Sequence, residues 1–566
     1  MKLPQRPSAS VDTICPATLA EVRGLGRFAF AATLLLALGV FFHAQILNGF
    51  TVMFGDKYDA VIEISLLEHW YNVYRGYANW RVAGYFYPAP DTLGYNDGYV
   101  ITGTLYSLFR AMGIDPLLAA CCAHASLKAI GFAAMAVLAR ALLQLSRTWC
   151  LLAALLFTIA NNSLMQSMHG QLLTVGLAPL DAWLLLRCLS AIRRADGSGA
   201  IAWGAGFAAL SGAWLMTSFY MAWFFGFATS LVLLGTAILQ GRMETVRFLC
   251  AMWRIRLAVA VVAVVFALAV TPLLIVYLPT AQQTGMQPES EMRQFVIWPL
   301  NIVNVGEGNL LFGGIDGWLS GKLGERFPAF SEWTTGFPPV VLLIFVVALI
   351  ASWRRDDAVA RRVRVIGTVA AVTWIATMQV HGQTLWHFVW HLLPGAKAVR
   401  VIARYQIFLA VPVMLTVLWW LSRLAQRQTL LAFMLAALLF AEEINLKPPV
   451  FLDRLDMQNF LASVPPPPAD CHSFYAVHGR DEDVKHSVND GIYSTNIDAM
   501  LLAELYHLPT LIGLSSILPP GWHWTFLPSD SPAFRRAVDA TIAYYRLSQV
   551  CELDIRQRRW SLHPAA

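Results

Sequence analysis

Charge is scarce in this chain. Asp, Glu, Lys and Arg make up 13% of its 566 residues, where a soluble globular protein carries about 25%. An ordinary soluble fold is thereby excluded, because so few ions cannot cover its surface. Cysteine is also sparse, with eight residues and no C-x-x-C pair. No His-rich pair stands out either, so neither a metal ligand set nor a cofactor motif is read. No internal repeat is visible, which weakens the case for a transporter built from two related halves. The net charge of +6 is spread over short loops and forms no basic patch, so nucleic acid is not an expected partner.

Apolar length is what the chain has instead. Hydrophobic residues make up 57% of it, and mean hydropathy is +0.54. Runs lie near 29–50, 117–142, 148–163, 171–190, 201–217, 219–240, 257–280, 338–353, 365–381, 407–423 and 429–445. A helix crosses the hydrocarbon layer with roughly 17–25 residues. The expected fold is a polytopic α-helical membrane protein with about 11 transmembrane helices and a C-terminal extracytoplasmic α/β domain. The segment 99–112 is apolar but short, and is read as a re-entrant or interfacial helix.

Orientation follows from Lys and Arg in short loops. Lys2, Arg6, Arg23 and Arg27 precede the first run. Counting eleven spans then places Arg140, Arg147, Arg193, Arg194, Arg242, Arg354 and Arg423 on the same, cytoplasmic side. Residues 1–28 are expected inside the cell. Residues 29–445 form the membrane module, with outer loops 51–98, 281–337 and 381–406, and residues 446–566 form the outer tail. The first run is too long for a signal-peptide core and is expected to stay as an anchor. Cys471 and Cys551 alone share the tail, where an oxidising compartment permits a disulfide.

The outer loops carry the polar chemistry. Asp56, Asp59 and Glu63 have spacing i, i+3, i+7 and share one face if 56–74 is helical. A carboxylate at a membrane mouth suits a general base, within reach of an acceptor hydroxyl. Asp56 as a helix cap is the plainer alternative. Further along, Tyr87, Tyr95 and Tyr99 surround Asp91, Asn96 and Asp97. Rings that stack on sugar C–H faces and polar groups that take hydroxyls suit carbohydrate. An interfacial aromatic belt explains the rings but not the acids.

Three other clusters face the same way. His169 and Gln171 cap the mouth of the third and fourth spans, and Tyr220 sits in a tight turn between two spans. Lys397, Arg400 and Arg404 have spacing i, i+3, i+7 ahead of the tenth span. Cations on the outer side run against the positive-inside bias and suit a phosphate or pyrophosphate. Snorkelling, or pairing with Asp56, Asp59 or Glu443, is the structural alternative. Lys128, on one face with His124, could join the anion site or snorkel. Asp181, midway along the fourth span, is the one ionisable residue deep in a run.

Several of these residues together resemble the GT-C superfamily of integral-membrane glycosyltransferases, and within it a bacterial branch of polytopic proteins. The matching residues are Gly55-Asp56 after the first span, Tyr87-Pro88 with Asp91 and Asp97, and His169-x-Gln171 ahead of a span containing Pro179. Arg400-Val401-x-Ala403-Arg404 matches as well. In the tail, Pro509-Thr510-Leu511-Ile512-Gly513, Pro519-Pro520-Gly521-Trp522, Cys551 and Arg559-Trp560 fit the same branch.

The resemblance implies a multi-pass protein of the bacterial inner (plasma) membrane, in contact with membrane lipid. It implies transfer of a sugar, with inversion, from a polyprenyl-phosphate-linked donor to an extracytoplasmic glycan or lipid-linked acceptor of the cell envelope. Asp56 is then the candidate base and Asp59 the fallback. Asp91, Asn96, Asp97, Tyr87, His169, Gln171 and Tyr220 are candidate substrate contacts, with Lys397, Arg400 and Arg404 for phosphate. The adjacent acidic pair of some superfamily members is absent, since Lys57 follows Asp56. A non-catalytic glycolipid-binding or cell-envelope assembly or export protein is the main alternative.

Overall fold

The computed structural model describes residues 26–447, 450–480 and 487–564. Lys2, Arg6 and Arg23 lie outside the described residues. Helix dominates and overlaps each of the eleven apolar runs, though 29–50 covers two helices and 365–381 runs past Ala358–Ala376 into the strand Gln379–Val380. Among the described residues, seven helical runs are long and apolar enough to cross a membrane: Pro116–Leu143, Arg147–Met165, Gly170–Arg193, Gly197–Thr217, Phe219–Arg254, Arg256–Thr284 and Ile402–Leu424. Arg27–Phe41, Pro339–Trp353 and Thr429–Glu442 are apolar but shorter. Ala358–Ala376 carries Arg361, Arg362 and Arg364 in its first two turns.

Local chemistry sets the helix ends. Asp115 accepts from the Leu118 amide and is followed by Pro116, whose missing N–H has no partner to lose at a helix start. Asp196 and Asp357 cap Gly197–Thr217 and Ala358–Ala376 in the same way. The Phe219–Arg254 run bends at Gly241, where φ is +79°. Only glycine adopts that conformation without strain. The bend falls where the apolar run gives way to Arg242. The segment 99–112 forms the 12-residue helix Val100–Ala111, about 18 Å long at 1.5 Å per residue and too short to cross.

Burial separates central helices from peripheral ones. The most apolar window of Ile402–Leu424 is 72% buried inside the protein, and that of Arg256–Thr284 only 6%. Ile402–Leu424 is one of the inner helices, with Arg147–Met165 at 89% and Pro116–Leu143 at 72%. Its Tyr405, Phe408, Met414 and Trp419 pack into one apolar core with Leu138, Leu156, Phe224 and Phe345 from neighbouring helices.

A second core lies between the segment after the first helix and the tail. Phe41, Phe54, Ile64, Tyr85 and Tyr106 meet Met457, Phe474, Met500, Leu511 and Trp522 there. Strand β1 (Val52–Phe54) pairs antiparallel with the later Phe451–Asp453. Between them in the chain lies a short hairpin, β2 (Gln379–Val380) with β3 (Gln383–Thr384), so Phe451–Asp453 is β4. In the tail, β5 (Ser473–Val477) pairs parallel with β6 (Val550–Asp554), which pairs antiparallel with β7 (Arg559–Leu562). The helix Val488–Tyr506 packs on Asp59–Arg75. Glu504 accepts from the side chain of Asn72 and the amide of Gly84, and the Tyr87 amide donates to the Thr510 carbonyl at 2.9 Å.

Cys471 and Cys551 form a disulfide that closes an 80-residue stretch at the start of β5 and β6. Cross-linking so long a loop removes disorder from the unfolded chain. Replacing both cysteines with serine is expected to cost about 2–4 kcal/mol. The change should appear as earlier proteolysis of the tail on heating, with insertion into the membrane unaltered.

Candidate active site

The helix Asp59–Arg75 starts three residues later than the sequence pattern predicts. Gly55 has φ +95°, and a Cβ there would meet that of Ala60 at 2.6 Å. Asp56 then turns its side chain back on the chain. Its Oδ1 accepts from the amides of Tyr58 at 2.9 Å and Asp59 at 2.8 Å. Asp56 therefore closes the turn before the helix and does not share a face with Asp59 and Glu63. A short acidic side chain competes for backbone amides at such a start, and this competition overrides the helical spacing. Its other oxygen accepts no hydrogen bond among the described residues.

Asp59 opens a chain of charged groups drawn from four segments. Its Oδ2 lies 3.1 Å from His169 Nδ1, and His169 Nε2 lies 3.2 Å from Glu332 Oε1. Glu332 then takes both faces of the Arg404 fork, from Nε at 2.9 Å and from the terminal nitrogen at 2.7 Å. Arg404 lies over the Tyr220 ring, 5.5 Å from its centroid. The Tyr220 hydroxyl accepts from the Arg400 amide at 2.9 Å.

The loop carrying Glu332 is fixed from several sides. Gln166 donates to the Ser331 carbonyl at 2.9 Å, Thr335 donates to the Ala403 carbonyl at 3.1 Å, and Gln406 donates to the Thr335 hydroxyl at 2.7 Å. Glu332 is the functional candidate that sequence reading missed. Its one signal is an acid beside Trp333 in the loop 281–337, which only the opposing Arg404 makes meaningful.

The remaining predicted residues divide into two groups. Near the network, the Tyr99 hydroxyl donates to Gln171 at 3.0 Å, and Asp97 accepts from the Phe219 amide at 3.3 Å. Glu63 pairs with His124 at 2.8 Å and lies directly against Gly170, where any side chain would collide with its carboxylate. Towards the tail, Asp91 is held by Arg81 at 2.6 Å, and Asn96 donates to the Tyr85 hydroxyl at 2.9 Å. Tyr87 lines a cavity of about 230 Å³ with Asn72, Glu504 and His507. No interaction among the described residues joins Asp91 or Tyr87 to the Asp59 network.

Two expectations are corrected. Lys397, Arg400 and Arg404 do not share a helical face, because the long helix begins only at Tyr405. Val399 and Val401 are fully buried and extended, which stretches the segment between two short 3₁₀ turns. Lys397 is exposed. Arg400 stacks over Phe295 at 4.8 Å and reaches Glu291 at 3.9 Å. Arg404 is buried. Of the anticipated partners for Arg404, neither Asp56 nor Glu443 takes the role, which falls to Glu332. Lys128, expected to snorkel or to join the anion site, is 4% exposed. It donates to Ser163 at 2.8 Å and lies 3.8 Å from the centre of the Phe41 ring.

The electrostatics separate the two acids. Burial pushes the Asp56 carboxyl up, and the Asp59 charge adds to it, against the pull of two backbone amides and His169. Burial would also raise Asp59, but the hydrogen bond and charge of His169 outweigh it and hold Asp59 below its ordinary value. Desolvation would raise the half-buried Glu332 too, yet Arg404 and His169 hold it well below the usual range. Burial and the Arg404 charge disfavour a protonated His169, but Glu332 and Asp59 prevail and raise it. Burial lifts Asp97 to about 6, against the Phe219 amide and Arg404.

Breaking a buried ion pair from one side costs about 3–5 kcal/mol, since it strands the other charge. Glu332→Ala and Arg404→Ala should each lower the thermal transition by that order. The double variant should lose less than the sum, as a double-mutant cycle on the purified protein will show.

The network also has a pH window. The raised His169 contributes fully below its ordinary 6.5 and loses its contribution as pH rises through its higher folded value. The lowered Asp59 and Glu332 contribute above their ordinary 3.8 and 4.5 and lose their contribution as pH falls through their lower folded values. Stability from the network is therefore greatest between pH 4.5 and 6.5 and declines above this range. His169→Gln should flatten the alkaline decline in a melting series. The sequence matches no protein-family model and no curated protein.

Proposed function

We propose that the chain is a multi-pass membrane glycosyltransferase of the bacterial inner (plasma) membrane. The seven long apolar helices, the three shorter ones and Ala358–Ala376 are all taken as spans in this reading, with the tail as an α/β unit outside the cell. The protein moves a sugar from a polyprenyl-phosphate-linked donor to a hydroxyl of a glycan or lipid-linked acceptor. The observation that carries the reading is the chain of groups from Asp59 through His169 and Glu332 to Arg404, with Asp56 beside it. It gathers two acids of different proton affinity and a guanidinium at one mouth of the helical bundle.

In this reading the acceptor oxygen attacks the anomeric carbon and passes its proton to the open oxygen of Asp56. The bond from that carbon to the lipid phosphate breaks, and the phosphate takes the electron pair. Asp56 is the better base because its carboxyl is raised while that of Asp59 is lowered. Asp59, held as an anion by His169, orients that imidazole. The departing phosphate is met by Arg400, whose one carboxylate partner among the described residues, Glu291, lies 3.9 Å away, and by exposed Lys397. A non-catalytic glycolipid-binding protein is the second reading. It is favoured by Glu332 occupying the Nε edge of the Arg404 guanidinium, which takes that edge from a phosphate.

Purified protein in liposomes with polyprenyl-phosphate sugars and an acceptor tests the proposal. Asp56→Asn should lower transfer by about 10²–10⁴-fold, and Asp59→Asn by less, with donor binding kept in both. Parent-like transfer by Asp56→Asn removes the assignment. A parent that binds polyprenyl phosphate but transfers from no donor establishes the second reading.

A further inference from the structure

Glu289, His387 and His391 come together away from the Asp59 network. His387 and His391 are four residues apart on the short helix Trp386–Leu392, so both imidazoles leave the same face. Glu289 begins the helix Glu289–Gln294, almost a hundred residues earlier in the chain. Its Oε1 lies 2.9 Å from His387 Nδ1, and its Oε2 lies 2.9 Å from His391 Nε2. The two imidazole rings are 4.5 Å apart between centroids. One ligand atom from each residue lies within 4.8 Å of the others.

Hydrogen bonds alone do not account for this arrangement well. One carboxylate already receives Arg293, through Nε at 2.8 Å and a terminal nitrogen at 2.6 Å. Arg293 would suffice to balance its charge. Two further imidazoles on the same carboxylate, all three residues partly open to solvent, form a half-shell of two nitrogens and an oxygen. This donor set suits zinc and neighbouring divalent transition ions. In a tetrahedral zinc site with bonds of about 2.0–2.1 Å, ligand atoms sit about 3.3 Å apart. The 2.9 Å contact between the ligating Glu289 oxygen and its own imidazole opens by about 0.4 Å to reach that spacing, and the other ligand pairs, all within 4.8 Å, close towards it.

We propose that Glu289, His387 and His391 form a zinc-type divalent metal site that staples the helix Glu289–Gln294 to Trp386–Leu392. The metal takes the lone pairs of His387 Nδ1 and His391 Nε2, and each ring proton moves to the other nitrogen. One Glu289 oxygen is the third ligand, and water fills the fourth position on the open side. Arg293 keeps its hold on the carboxylate and orients it, as partners behind metal ligands do. Two residues beyond Glu289, Glu291 reaches Arg400, so the staple also steadies the approach to that cation. None of this depends on the glycosyltransferase reading.

The test uses full-length protein in detergent, stripped with a chelator, and titrated with Zn²⁺ alone against a chromophoric competitor. The parent should take up one Zn²⁺ per chain at this site. His387→Ala and His391→Ala should each weaken uptake by at least about tenfold, since even partners behind the ligands are worth about 10–100-fold. The double variant should lose this equivalent, and His472→Ala, an exposed histidine elsewhere, should keep it. Zn²⁺ should raise the melting temperature of the parent and not of the double variant. If the double variant fails to fold, His391→Gln decides, because it keeps a donor for Glu289 without an imidazole lone pair. Equal uptake by the parent and His391→Gln, or no uptake by the parent, overturns the site.

Discussion

A guanidinium does not give up its proton in a protein, so Arg404 is charged wherever the fold puts it. The fold puts it at the entry to an inner helix, with Ile402, Ala403 and Tyr405 fully buried around it. Taking such an ion out of water costs several kcal/mol, and a carboxylate matched to both faces of the fork is the arrangement that offsets it. That need brings the 331–335 loop across the mouth of the bundle. Once Glu332 is there, its position beside His169 follows, and His169 in turn holds Asp59. The order of dependence runs from the buried cation outward to the half-exposed acid.

Two carboxylates three residues apart thus acquire opposite character without any difference in residue type. Asp59 faces an imidazole that is itself held by a second acid, and stays ionised. Asp56 faces backbone amides on one oxygen and lies beside a like charge, and holds a proton more readily. Environments that push two neighbouring acids apart are a recurring way of dividing acid and base roles. Gly55 and Gly170 permit the arrangement. The first lets the chain turn against Ala60, and the second leaves room for the Glu63 carboxylate.

The helical fold is legible in the sequence because apolar runs of the right length are a local signal. The short helix at 100–111 is legible for the same reason. The site is legible only in part. Asp59, His169 and Arg404 stand out as polar residues where polar residues are rare. Glu332 does not, since its meaning comes from a residue 72 positions away. Helical spacing misleads at both ends of the network. Asp56 prefers to satisfy amides, and Val399 and Val401 bury themselves in an extended segment, so neither the acids nor the cations line up as a regular helix would place them. His387 and His391 carry the right spacing, but the acid that completes them lies almost a hundred residues upstream.

The tail bears on the same network from the opposite side. Glu504 approaches His69 at 3.4 Å and accepts from Asn72 and the Gly84 amide. Tyr58, one residue before the helix that carries Asp59, donates to Asp490 at 2.8 Å. The Asp59–Arg75 helix is therefore held at its start and in its later turns by residues more than four hundred positions away. The bundle supplies Arg404 and His169, and the tail sets the rotation and register of the helix that presents Asp59 to them. A substitution that loosens the tail core around Phe474 and Trp522 would accordingly reach the acid end of the network through that helix, while the Glu332–Arg404 pair, held by Gln166, Gln406 and the Ala403 carbonyl, would stay in place.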